Sequence, residues 1–196
     1  AGEIRGTSVF DDTLVATAVR FDSTEVRSAH VSISEVGDSF EAGRALVDGL
    51  KPDGLVHVIV LSDGIHVNGS DLVKGMASGL PPGVTVTGGL SGDGSRFQKT
   101  YVLSQGEART RVVTALGLYG TRLKTGCGSM GGWDPFGPER VVTRSRGNVL
   151  YELDGRSALA LYKEYLGEHS AGLPASGLMF PLCVRTDEAE KALVRT

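Results

Sequence analysis

Apolar and polar positions follow two rhythms along the first half of the chain, and the switches between them mark out its elements. Thr13–Phe21 (TLVATAVRF) and Glu25–Ser34 (EVRSAHVSIS) read as strands joined by the polar turn Asp22-Ser23-Thr24. So short a connection predicts an antiparallel hairpin. Over Asp38–Leu50 the period lengthens. Phe40, Ala45, Leu46 and Leu50 approximate one helical face, Asp38 or Ser39 can cap it, and Gly49 and Pro52 end it. Gly54–Leu61 (GLVHVIVL) is nearly continuous apolar, the pattern of a central strand buried on both faces. A second helix is predicted over Ser70–Leu80, with Leu72, Val73 and Met76 inward, and a buried strand over Val84–Thr87. Together these make a β–α–β unit, whose two strands normally lie parallel.

The second half reads as a meander. Thr100–Leu103, Arg111–Tyr119 and Leu123–Cys127 are strand-like, with turns at Gln105-Gly106 and Gly120. Glu139–Thr143 and Asn148–Leu153 suggest another hairpin around Gly147. Asp154–Gly167 is the clearest helix, because Ala158, Leu161, Tyr162 and Tyr165-Leu166 recur at helical spacing. Leu178–Val184 is read as a last buried strand. The fold class expected is α+β (mixed α/β), with mixed, largely antiparallel sheets, one β–α–β unit and flanking helices. The first residues, AGEI, and the charged-then-apolar run at 187–196 read as the cut ends of a longer chain.

Composition narrows the function classes. Of 196 residues, 40% are hydrophobic and 22% charged, the balance of a globular protein. The net charge is −3 and no basic block occurs, so the electrostatic footprint of a nucleic-acid binder is missing. No apolar run approaches the ~20 residues of a membrane span, and no secretory-type leader is seen; a cytoplasmic location is expected. Two cysteines cannot build a disulfide framework, so a reduced chain is the simpler reading. Cys183, within LMFPLCV, reads as a small core hydrophobe, whereas glycines leave Cys127 accessible and open to thiol chemistry.

Candidate chemistry concentrates in Thr87–Phe97 (TGGLSGDGSRF), where the polar groups Ser91, Asp93 and Arg96 lie among Gly88, Gly89, Gly92 and Gly94. Neither the P-loop lysine nor the dinucleotide spacing is present, which argues against a nucleotide site. Two readings stay open. The glycines let the loop pack tightly, or the loop holds a small zwitterion, Arg96 forking onto a carboxylate and Asp93 receiving an ammonium. Asp93 and Arg96 can equally pair with each other. Asp63 ends the strand Gly54–Leu61, at the edge where open α/β sheets commonly bind ligands, and would emerge beside Gly88–Gly92. A plain turn aspartate explains it as well.

His30 and His57 read as core or sheet-face residues. His66 is the histidine nearest the proposed edge, and a single axial haem ligand needs only one. The stiff aromatic loop Trp133-Asp134-Pro135-Phe136-Gly137-Pro138 can lid an apolar pocket with Trp133, or plug the end of a core. No Ser/His/Asp arrangement or other activated nucleophile is visible, so an enzyme is not expected.

Taken together, AGEI at 1–4, LSDG at 61–64, VTGGLSGDG at 86–94, FQKTYV at 97–102, GWDPFGP at 132–138 and RGNVLYELDGRSALALYKEYLGE at 146–168 resemble the FIST family. The likeness implies a FIST N-terminal module over residues 1–120, followed over 121–196 by a linker and the truncated start of a FIST C-terminal module. It implies a sensory module of intracellular signal transduction that binds small ligands, with amino acids the proposed class. The ligand residues expected are Asp63, Gly88, Gly89, Ser91, Gly92, Asp93, Arg96 and Trp133, without metal or cofactor. Haem, reporting nitric oxide, is the alternative, with His66 its candidate ligand by position. The implied partners are a small molecule and a signalling protein such as a kinase acting in trans, with neither nucleic acid nor membrane. A protein-interaction scaffold whose glycine loops only pack is a further reading.

Overall fold

The computed structural model describes residues 3–128, 133–134, 136–185 and 193–195, and the chain divides into two units after Cys127. The first unit opens with a small antiparallel hairpin, Glu3–Arg5 (β1) on Ser8–Phe10 (β2). It continues through Glu25–Ser32 (β3), the single turn Ile33–Val36 (α1), Ser39–Leu50 (α2), Leu55–Ser62 (β4), Gly69–Gly79 (α3) and Thr85–Leu90 (β5). Val102–Ser104 (β6), Glu107–Arg109 (β7) and Val112–Tyr119 (β8) follow. The main sheet has the order β3-β8-β4-β5. β4 and β5 run parallel, from His57 opposite Thr85 to Ser62 opposite Leu90, as the β–α–β pattern predicts. β8 lies antiparallel between β3 and β4, so the sheet is mixed and the fold α+β.

The core lies between α2, α3 and the sheet face carrying Val58, Val60, Val113 and Ala115. Leu46, Leu50 and Met76 are fully buried there. Each such side chain contributes roughly 1.5–3 kcal/mol of transfer free energy relative to an exposed one. The two helices touch at glycines. A Cβ on Gly43 would lie 2.3 Å from the Leu72 carbonyl oxygen, and one on Gly75 would lie 2.0 Å from that of Phe40. Asp38 caps α2 by accepting the Glu41 N–H at 2.8 Å, and the Asn68 side chain caps α3. Ser39 is buried and accepts the Asn68 N–H at 2.9 Å, tying the two helix starts together.

Several sequence expectations change. Residues 13–21 form no strand, and Leu14 and Val19 are exposed. β3 pairs along its whole length with β8, 86 residues away by the Ala29–Ala115 pairing (115 − 29), because that long apolar partner offers a full ladder that the neighbouring segment does not. Leu123–Cys127 is likewise irregular. Val73 points outward on α3 and its place on the inner face is taken by Gly75. β5 is a half-exposed edge strand that incorporates Gly88 and Gly89.

The second unit carries a three-stranded antiparallel sheet of Val142–Arg146 (β9), Val149–Leu153 (β10) and Arg156–Ser157 (β11), with β10 central. Its helix, Ala158–Leu166 (α4), is capped by Ser157 and buries Ala158, Leu161 and Leu166. Asp154 is not in that helix. It sits in the β10–β11 turn and accepts the Val141 N–H and Arg140 Nη1. Two 3-10 turns, Gly167–Gly172 and Ala175–Leu178, lead to Leu182–Val184 (β12), which pairs with Leu193–Arg195 (β13). β12 is shorter than expected and largely exposed, so Cys183 is a surface thiol rather than a core residue. No helix among the described residues is long and apolar enough to cross a membrane.

Candidate functional site

The C-terminal ends of β3, β4 and β5 and the start of β8 meet at one edge of the sheet, and a single carboxylate holds much of that edge together. Asp63 follows β4 and is fully buried. Its Oδ1 accepts the N–H groups of Ile65 and His66, each at 2.8 Å, and His66 Nδ1 at 3.1 Å. Its Oδ2 accepts the Arg111 N–H at 2.9 Å, and its own N–H donates to the Val112 carbonyl at 3.0 Å. Burial alone would raise the Asp63 pKa, but these donors outweigh it and lower the value to about 2. Arg111 is held in the left-handed region, with φ of 56°, where a non-glycine residue is strained.

The turn at Asp63 also meets the glycine-rich segment. Ser91 N–H donates to the Ser62 carbonyl at 2.9 Å, and Gly64 N–H donates to Thr100 Oγ1 at 3.0 Å. A Cβ on Gly64 would sit 1.9 Å from the Ser91 carbonyl oxygen, so the approach requires glycine there. Gly88 has the same role inside the ladder, where a Cβ would lie 1.8 Å from the Val60 oxygen.

Beyond Ser91 the loop is organised by a second carboxylate. Asp93 Oδ2 accepts the N–H groups of Gln98 and Lys99 at 3.0 Å each, while Arg96 reaches Oδ1 through Nε at 2.9 Å and Nη2 at 2.8 Å. The Lys99 and Gln98 N–H groups, then the Arg96 guanidinium, lower its pKa to about 2. Phe97 between them is also left-handed, with φ of 49°.

The structure thus brings Asp63, Gly88, Gly89, Ser91, Gly92, Asp93 and Arg96 to one edge, with Asp63 sealed inside it and Arg96 on the surface joined to Asp93. His66 is there too, its Nδ1 against Asp63. Trp133 belongs to the second unit and is more than half exposed; Gly131, Gly132 and Pro135 of its loop lie outside the described residues. His57 is buried in the sheet, with Nδ1 2.6 Å from Thr85 Oγ1 and Nε2 2.9 Å from Thr87 Oγ1; His30 is exposed on β3. Among the described residues no cluster of His, Cys, Asp and Glu is arranged to hold a metal ion.

Next to these anchored segments lies an open cleft of about 440 Å³, lined by Ser32, Glu35, Lys99, Tyr101, Arg109 and Thr110 among others. Sequence reasoning passed over these residues. Lys99 and Tyr101 stand inside the FQKTYV block, but Glu35 and Arg109 carry no local signal, being brought to the cleft only by α1 and the β6–β7 hairpin.

A mixed sheet with helices on one face, its edge framed by the LSDG and glycine-rich blocks, is the setting in which likeness to known proteins can be judged. A family model described as the FIST N domain matches residues 1–156. An uncharacterized protein of Methanocaldococcus jannaschii is 31% identical over 87 residues, which cover 44% of this chain and 17% of that protein. The chain therefore spans about one sixth of the length of this relative. No solved structure matches it. With the family model covering well over half of the residues, the chain belongs to the FIST family, whose domains serve generally as sensory modules of signal transduction.

Proposed function

We propose that this chain is the ligand-binding part of an intracellular sensor, taking up amino acids or similar small metabolites at the C-terminal edge of its main sheet. It binds rather than transforms its ligand, needs no cofactor, and passes its occupancy to a cytoplasmic signalling protein such as a kinase acting in trans. The observation that carries this reading is the construction at Asp63. A fully buried carboxylate takes up four N–H donors and keeps Arg111 in a strained backbone conformation at the sheet edge. Strain held by such an over-determined network is the mark of a pre-organised site. Edges of this kind are where open α/β sheets bind small molecules. Calorimetric titration of the chain with a panel of L-amino acids tests the reading. Saturable heat with at least one of them is the expected result, and a flat titration with all of them overturns it.

A second reading, haem binding with nitric-oxide sensing, is favoured by one observation at His66. Its Nδ1 lies against the Asp63 carboxylate, the arrangement that orients metal-ligating histidines, and its ring is partly exposed. Neutral His66 would offer Nε2 as an axial ligand. A Soret band that develops on haem addition and is lost in His66→Ala supports this reading. A spectrum unchanged by the substitution removes it.

A further inference from the structure

We infer that the open cleft between α1, the segment before β6 and the β6–β7 hairpin is where the ligand is held, and that it takes a small dipolar ion. In this assignment Lys99 and Arg109 receive the anionic group and Glu35 the cationic one. The inference rests on the ligand-binding reading above and names the groups that touch the ligand.

Three features of the cleft carry it. Its charges are unlike and incompletely satisfied. Among the described residues no ion pair engages Lys99 or Glu35, and Arg109 turns only Nε and Nη2 toward Glu107, leaving Nη1 for another acceptor. A guanidinium and an ammonium beside a carboxylate are complementary to a molecule with one charge of each sign. Its size is right as well, since about 440 Å³ accommodates a molecule of amino-acid dimensions. The Ser32 and Thr110 side chains add hydroxyls, and the Tyr101 ring, with Lys99 Nζ 5.1 Å from its centre, adds an apolar face.

The third feature is how the walls are held. Asp93 fastens the Lys99 backbone, Asp63 fastens that of Arg111 beside Thr110, and Gly64 donates to Thr100 between Lys99 and Tyr101. Asp63 and Asp93 are on this view positioning residues: both carboxylates are taken up by backbone N–H groups, and the ligand meets the exposed side chains that those backbones carry. Preorganised walls keep the ordering entropy of binding small.

The test is calorimetric titration of the full 196-residue chain with L-leucine, L-phenylalanine, L-glutamate and L-arginine. The variants are Lys99→Met, Arg109→Gln, Glu35→Gln and Arg96→Ala, all at exposed positions, where substitutions are usually tolerated. Each of the first three should weaken the best-binding probe roughly tenfold or more, the usual effect of deleting a charge-assisted hydrogen bond. The methyl ester of that probe should bind weakly to the parent protein and be insensitive to Lys99→Met. Its N-acetyl form should likewise be insensitive to Glu35→Gln. Full affinity in Lys99→Met and Arg109→Gln, with loss confined to Arg96→Ala, overturns the cleft assignment and leaves the sensor reading standing. Absence of binding to the parent protein by all four probes overturns both.

Discussion

His66 Nδ1 lies 3.1 Å from Oδ1 of the buried Asp63 carboxylate. Asp63 remains ionised far below neutral pH and can only accept, so the contact requires a proton on His66 Nδ1. In the neutral ring Nε2 is then the bare nitrogen. Long-range proton–nitrogen NMR of the neutral ring should show His66 as the Nδ1–H tautomer. An Nε2–H tautomer would contradict the arrangement and with it the axial-ligand reading.

Removing the Asp63 charge should destabilise the first unit strongly. Asp63→Asn keeps the shape but turns an amide N–H₂ toward N–H donors, leaving at least one of them buried and unsatisfied. A loss of about 2–4 kcal/mol is expected, read from urea unfolding midpoints at constant m. A change within about 0.5 kcal/mol, as at ordinary surface positions, would show that the edge is held by other contacts.

Acid sensitivity follows from the same carboxylates. Asp63 and Asp93 are both held at about 2 in the folded protein, against roughly 3.9 for an unfolded aspartate. A depressed folded-state pKa means that the unfolded chain binds more protons in this window. The stabilisation is complete above the unfolded value and is lost as the pH falls through about 2. Unfolding midpoints should therefore stay level from about pH 7 to 5 and drop steeply below about 4. Asp63→Asn and Asp93→Asn should each flatten that drop, and an equally steep fall in both variants would assign it to other carboxylates.

The α2–α3 contact should tolerate no added methyl. In Gly75→Ala the new Cβ would lie 2.0 Å from the Phe40 oxygen, on backbone that cannot swing aside, so the helices must separate. A destabilisation of about 1–3 kcal/mol is expected, against near neutrality for Gly126→Ala, where the added Cβ meets nothing within 4 Å. Equal melting temperatures for the two variants would refute the close packing.

The residues themselves determined α2, α3 and the body of α4, the central strand and the parallel β4–β5 pair. Apolar period, caps such as Asp38 and Asn68, and the break at Pro81-Pro82 are local properties that a chain carries wherever it folds. They also marked the edge where Ser62, at the end of β4, meets Ser91, because a β–α–β unit leaves both strand ends on the same side. Which strand lies beside β3 was decided only in three dimensions, since ladder energies depend on partners distant in sequence and 112–119 is a better partner for β3 than 13–21. The same holds for the chemistry at the edge. Asp63 and Asp93 are legible in the sequence as acids. Burial of one and the N–H groups converging on both turn them into backbone anchors, and the backbone they hold brings Lys99 and Arg109 to the cleft beside Glu35.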